Sequence, residues 1–138
     1  MQEELFQRVQ QAGFRLTRAR KEIVATFTEA TRPLSAIELR LMLSSMPNKS
    51  TIYRELLFLM QQGIVVEVQL RPDITHYELA GQVHHHHLVC NRCDGVEDVV
   101  LGDDLHQLEA QIAIGKRFKV ERHSLEFYGL CGKCQTAG

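Results

Sequence analysis

The stretch "NKSTIYRELLFLMQQGIVVEVQLRPDITHYEL", Asn48–Leu79, changes period partway through. Ile52, Leu56, Leu59 and Met60 fall at i, i+4, i+7 and i+8, so the first part reads as an amphipathic helix that Gly63 stops. Two β-rich runs follow, "IVVEVQL" and "THYEL", and the "RPD" between them makes a hairpin. Upstream, "SAIE", Ser35–Glu38, is a capping-box pattern opening a helix through about Leu43, and "SSMPN" supplies a turn. A helix pair at 36–43 and 49–61 followed by a hairpin predicts a winged helix-turn-helix. Two further helices precede it. Leu5, Phe6 and Val9 mark the first, which Gly13 ends, and Thr17 caps the second, with Ala19, Ile23, Phe27 and Ala30 on one face. "TRP" at 31–33 breaks that second helix.

Charge supports a nucleic-acid surface in this half. The whole chain of 138 residues carries a net charge of only −1, which argues against a generic polyanion binder. Residues 1–54 nevertheless hold nine Lys or Arg against five acids, whereas residues 81–138 hold six against eight. Lys49, Ser50, Tyr53 and Arg54 lie away from the Ile52/Leu56/Leu59 face, free to enter a major groove or to form an ordinary solvated face. The composition, 44% hydrophobic and 24% charged, is that of a globular protein. No apolar run is long enough to span a bilayer, and the acidic, amphipathic N-terminus has no signal pattern, so a cytoplasmic location is expected.

Past a weakly structured "AGQV", the pattern changes at "VHHHHLVCNRCDGVEDV", Val83–Val99. A strand "HHHHLVC", an irregular knuckle and a strand "GVEDVVL" are expected. A helix then begins near Asp103, with Leu105, Leu108 and Ile112 turned inward and Gly115 at its end. "FKVERHSLEFYGLC" reads as one or two strands. The fold class is therefore α+β: a winged-helix domain over 1–80, a hinge at 81–83 and a small α/β metal-binding domain over 84–138.

All four cysteines lie in two Cys-x-x-Cys pairs, Cys90/Cys93 and Cys131/Cys134. In a reducing compartment such pairs favour metal over disulfide, and two knuckles together supply the four tetrahedral thiolates that structural zinc takes. The 37 residues between Cys93 and Cys131 exceed the usual zinc-ribbon spacing, but loop closure grows costly only slowly with length. A thioredoxin-like redox pair is the alternative. In the histidine run, strand alternation puts His84 and His86 on one face and His85 and His87 on the other, so one run can serve two sites. Imidazoles with nearby carboxylates suit zinc, ferrous iron, nickel or copper; a solvated polar strand is the bland reading. His106, isolated on a helix, and His76, two residues from Glu78, are open either way.

These residues together resemble the ferric uptake regulator superfamily of metal-sensing bacterial repressors, over nearly the whole chain. "GFRLTRARKEIV" is similar to its N-terminal basic segment, "STIYREL" to its recognition-helix core, "HYEL" to its wing end, "HHHHLVC-x-x-C" to its signature and "HSLEFYGLCGKC" to its C-terminal end. The resemblance implies a homodimeric repressor of metal-homeostasis genes that binds near-palindromic double-stranded operator DNA, with no membrane or small-molecule substrate. It implies structural zinc on Cys90, Cys93, Cys131 and Cys134, and a sensing site of Glu78, His85, His87 and Asp98 for iron or zinc, with manganese also admitted. An additional site would use His84, His86, His106 and His123. DNA contacts would come from Arg15, Arg20, Lys49, Ser50, Thr51, Tyr53 and Arg54. In two places the sequence departs from the family pattern. The family's iron and peroxide sensors draw a histidine from the segment where this chain has "TRPLS" with Pro33, which weakens a peroxide-sensing alternative; and His86 replaces a frequent Asp, tilting that site toward zinc. An enzyme is not expected, since no companion nucleophile, HExxH helix or HxE…PCxxC arrangement accompanies the cluster. A metal-storage or chaperone module without DNA binding is the remaining alternative.

Overall fold

The structure, a computed structural model, describes residues 1–82, 85–102 and 105–136. Val83 of the expected hinge, His84 of the additional site and Asp103 at the expected helix start lie outside the described residues. Two compact units result, Met1–Gln82 and Val83–Gly138. No helix among the described residues is long and apolar enough to cross a membrane.

The first unit begins with α1 (Gln2–Gln11), whose Leu5 and Val9 are buried one turn apart. Glu3 and Glu4 in its first turn and Arg8 in its last match the helix dipole. Gly13, at φ +90°, makes the left-handed turn that follows. Thr17 caps α2 (Arg18–Glu29), its hydroxyl accepting from Arg20 N, and Ile23, Val24 and Phe27 form the buried stripe. α2 stops before Pro33, which is itself fully buried. Ser35 and Glu38 complete both halves of the capping box on α3 (Ala36–Met42). Asn48, whose side chain accepts from Thr51 N at 2.8 Å, opens α4 (Lys49–Gln61). Ile52, Leu56 and Leu59 of α4 are buried against Ile23, Val24, Phe27, Leu39 and Leu43, the centre of the core.

Gly63, at φ +70°, turns the chain from α4 into β2 (Val65–Arg71), which pairs antiparallel with β3 (Ile74–Leu79). A bulge between Gln69 and Arg71 kinks the hairpin near its tip. β1 (Leu34–Ser35) adds to β3 through Leu34↔Tyr77 and Ser35↔His76, giving the order β1-β3-β2. This two-residue strand was not expected, because it is too short to carry a period of its own.

The second unit is a sheet of β4 (His86–Cys90), β5 (Val96–Val99) and β6 (Glu126–Gly129) in the order β5-β4-β6. β5 runs antiparallel to β4, and β6 parallel. α5 (Leu105–Lys116) precedes β6, and α6 (Gly132–Thr136) follows it. Two expectations need correcting here. α5 does not turn Leu108 and Ile112 inward: they are 51% and 44% exposed, and no residue of α5 is buried. Apolar residues lie on several sides of this helix, and one three-stranded sheet cannot cover them. Nor does Gly115 end α5; the helix runs on to Lys116, and Arg117 takes the left-handed turn at φ +51°. Of the expected strand region 118–131, only Glu126–Gly129 pairs, because β4 offers partners only from His87 to Cys90.

Leu59 is fully buried at the centre of the first core. Leu59→Ala is therefore expected to destabilise this unit by about 2–5 kcal/mol, measured as a lower midpoint in urea unfolding followed by circular dichroism.

Candidate functional site

The four cysteines come together because β6 runs parallel to β4. Pairing of Cys90 with Gly129 places the segment after β6 beside the end of β4, and Asn91 N donates to Gly129 O at 2.8 Å. The first knuckle is a tight turn: Cys90 N donates to Gly95 O at 2.9 Å and Asp94 N to Cys90 O at 3.1 Å, with Asp94 at φ +62°. A Cβ at position 95 would lie 3.2 Å from Cys93 Sγ, so glycine there leaves room for the thiolate. Cys131 precedes α6 and Cys134 lies on it; Arg92 Nη1 donates to Cys134 O at 2.9 Å, clipping the two knuckles together. All four Sγ atoms lie within 4.8 Å of one another. Cys93 and Cys131 sulfurs are 3.8 Å apart. A zinc–sulfur bond of about 2.3 Å in a tetrahedron puts sulfurs about 3.8 Å apart, so the donor set fits zinc in both chemistry and scale.

Electrostatics order the deprotonation. Backbone N–H groups of Cys131, Cys93 and Arg92 pull the Cys90 thiol from its ordinary 9.0 down to about 6. The hydrogen bond shared with Cys131, together with burial, pushes Cys134 up to about 12. Cys90 is thus favoured as a thiolate at neutral pH, and a cation would have to displace the proton of Cys134.

β4 also sorts the histidines. His87 pairs with Asp98 across the antiparallel β4–β5 ladder, so the two side chains share a face. His87 Nε2 lies 3.5 Å from Asp98 Oδ1 and His85 Nε2 lies 4.0 Å from Oδ2, with the imidazoles edge to face at 4.9 Å. The ligand atoms of His85, His87 and Asp98 fall within the same 4.8 Å span, two nitrogens and a carboxylate that suit iron or zinc. Glu78, half-buried on β3, belongs to the first unit.

His86 faces the other way and stacks on His123 at 5.8 Å between ring centroids. His123 Nδ1 is paired with Glu109 Oε1, and the other Glu109 oxygen lies 3.8 Å from His106 Nδ1. Glu109 was missed in the sequence. Its signal was present, since it sits three residues from His106 on one helix face. His106 itself is largely exposed. His76 is buried in the first unit, its Nε2 4.0 Å from Glu38 Oε1.

On α4, Lys49, Ser50, Tyr53 and Arg54 are exposed, while Thr51 is half-buried and its Oγ1 accepts from Arg54 Nη2 at 3.3 Å. Arg15 is exposed. Arg20 is not: its guanidinium is held against Glu55 of α4.

The model of the ferric uptake regulator family matches residues 11–128. A ferric uptake regulation protein of Synechococcus elongatus is 33% identical over 131 residues, covering 91% of this chain and 88% of that protein. The solved Vibrio cholerae ferric uptake regulator superposes with a TM-score of 0.77 at 30% identity, over 91% of this chain and 98% of that one. The Helicobacter pylori ferric uptake regulator, a protein with three functional metal binding sites, superposes with a TM-score of 0.79 over 98% and 91% of the two chains. At 20% identity that likeness speaks for the fold alone.

Removing the metal from the four-thiolate site with a chelator should abolish hydrogen-exchange protection in β4 and β6 while α2 and α4 keep theirs. The pH dependence has a definite sign. The Cys90 pKa is depressed, so stabilisation of its thiolate is present in full above the ordinary 9.0 and lost as pH falls through about 6. Protons compete with a bound cation for all four thiolates, so zinc release from zinc-loaded protein to a colorimetric chelator should accelerate as pH falls; a rate independent of pH would refute thiolate ligation.

Proposed function

Because the chain belongs to the ferric uptake regulator family, we propose that it is a metal-dependent, DNA-binding transcriptional repressor of metal-homeostasis genes. The observation that carries this reading is the splitting of one histidine run, with His85 and His87 gathered around Asp98 and His86 turned to His123. Zinc would be held structurally by Cys90, Cys93, Cys131 and Cys134. The sensing ion, iron or zinc and secondarily manganese, would be held by His85, His87 and Asp98 with Glu78 as the fourth ligand. Glu78 is proposed on the family resemblance. A bound divalent ion supplies positive charge and a fixed ligand geometry; no catalytic step is assigned to it, and the chain is read as a regulator rather than an enzyme. His86, His123 and His106 would form the additional site with His84, and Glu109 joins them as a carboxylate ligand on the ground of its pairing with His123.

Ligands contributed by both units would let metal binding set the arrangement of the DNA-binding unit. A coupling of about 1–3 kcal/mol gives a roughly 5–150-fold change in operator affinity. Lys49, Ser50, Thr51, Tyr53 and Arg54 would read the major groove, and Arg15 would meet the backbone or minor groove. The exposed apolar residues of the second unit, Leu108, Ile112, Ile114 and Phe127 among them, support a homodimer, which would present two such helices to a near-palindromic double-stranded operator. A peroxide sensor is disfavoured by Pro33: the position holds a core residue where that chemistry needs an imidazole. The compartment expected is the cytoplasm.

The test is operator binding with and without metal. Metal should raise affinity within that 5–150-fold range, and equal affinity would refute sensing. The double variant His85→Ala/His87→Ala should lose the metal response yet retain the thiolate-bound zinc by elemental analysis. Ile112→Glu should shift sedimentation from the dimer toward a single chain.

A further inference from the structure

Arg20 stands at the junction of three chain segments. Its Nε donates to Glu55 Oε2 at 2.8 Å, its Nη1 donates to Arg15 O at 2.9 Å, and its guanidinium carbon lies 3.8 Å from the centroid of the Phe58 ring. Phe58 in turn packs edge to face on Phe14 at 4.8 Å. Only 17% of the Arg20 side chain and 15% of the Glu55 side chain remain exposed. A guanidinium with one face on an aromatic ring and two of its nitrogens bonded inside the protein is poorly placed to reach a phosphate. The family resemblance implies a DNA contact for Arg20, whereas its guanidinium is held within the protein.

We propose that Arg20 is a positioning residue for DNA recognition, acting through Glu55 and Phe58 to lock α4 against the segment that carries Arg15. The proposal rests on the DNA-binding reading above. Glu55 and Phe58 lie nearly two and about two and a half turns along α4 from its exposed N-terminal end, so a clamp on them fixes the pitch of the helix that presents Tyr53 and Arg54. The bond from Arg20 to the Arg15 carbonyl fixes a second basic segment to the same guanidinium. Arg15 and Arg54 are thereby held in one register before DNA arrives, and the ordering cost of binding falls. Glu55, an acid on a helix meant to approach phosphates, is neutralised by the same contact.

The test uses full-length, metal-loaded protein and a duplex that the wild type enriches from a randomised pool. Arg20→Gln, Glu55→Gln and the charge-neutral double variant should each bind about five- to thirty-fold more weakly, as expected for one partly buried charge-assisted bond, and the double variant no more weakly than the worse single. The slope of log affinity against log salt should stay at the wild-type value in all three. A phosphate contact from Arg20 would instead cut that slope by about 0.9 in Arg20→Gln. It would also make Glu55→Gln bind as tightly as the wild type or more so, by releasing the cation; either result overturns the proposal. Should the neutral variants lose their circular dichroism, Arg20→Lys decides. It keeps the charge without the fork, and wild-type affinity in it overturns the proposal, whereas weaker binding at an unchanged slope supports it. If the wild type enriches no duplex at all, the repressor reading fails and this inference with it, a different result from any of the variant outcomes.

Discussion

Strand alternation in β4 is the constraint on which the second unit depends. The strand's five residues, His86 to Cys90, serve two ladders, antiparallel to β5 and parallel to β6, and His87, Leu88 and Val89 take part in both at once. Because successive side chains point to opposite faces, His87 must share a face with Asp98 while His86 must face away from it. A one-residue slip would exchange those two sets and carry the wrong imidazole to each site. The same register fixes the far end of the strand, where Cys90 meets Gly129 and the second knuckle is delivered to the first. A sulfur cluster closing a loop of 37 residues is thus more than a staple, since it holds the ladder in the register that sorts the histidines.

The first unit solves a different problem, that of a helix which must be buried and offered at once. α4 gives Ile52, Leu56 and Leu59 to the core and leaves Lys49, Ser50, Tyr53 and Arg54 to solvent. Between those faces lie Glu55 and Phe58, and there the polar clamp from Arg20 is placed. Apolar packing alone would permit α4 small rotations about its axis, because Leu and Ile contacts have no direction. A guanidinium fork with a carboxylate on one edge and an aromatic ring on one face does have direction. Division of labour follows: the core supplies the stability of the helix and the clamp its setting.

Local signals made most of the first unit legible. Thr17, the Ser35/Glu38 box and Gly63 each act within a few residues, and the structure uses all of them as expected. β1 was not legible, because a two-residue strand exists only through its partner β3. In the second unit the four cysteines and the histidine alternation could be read from spacing, whereas the extent of β6 could not, since it is set by where β4 offers partners. The error at α5 has a physical origin. Apolar spacing turns Leu108 and Ile112 inward only where apolar residues can bury within their own chain, and that condition fails for a unit with so little sheet to bury them against. Glu109 stands three residues from His106, but its pairing with His123, on a segment beyond the helix, exists only through the fold.

Pro33 shows how one position can serve packing at the expense of ligation. It is fully buried, between the end of α2 and the two residues of β1, and next to Leu34, which is also in the core. An imidazole there would bring two polar nitrogens into an apolar setting, each needing a partner or a metal to offset its lost hydration. With proline, the core gains a rigid residue with no donor to satisfy, and α2 gains a firm stop. Within the second unit the proposed sensing set is His85, His87 and Asp98, two nitrogens and a carboxylate. Such a set has lower nitrogen content than one completed by a third histidine, and a harder oxygen donor narrows the advantage of zinc over iron(II) and manganese. At the proposed additional site His86 would tilt the preference the other way, toward zinc. The two faces of β4 therefore differ in donor chemistry as well as in direction, His87 standing beside Asp98 on one and His86 stacked on His123 on the other.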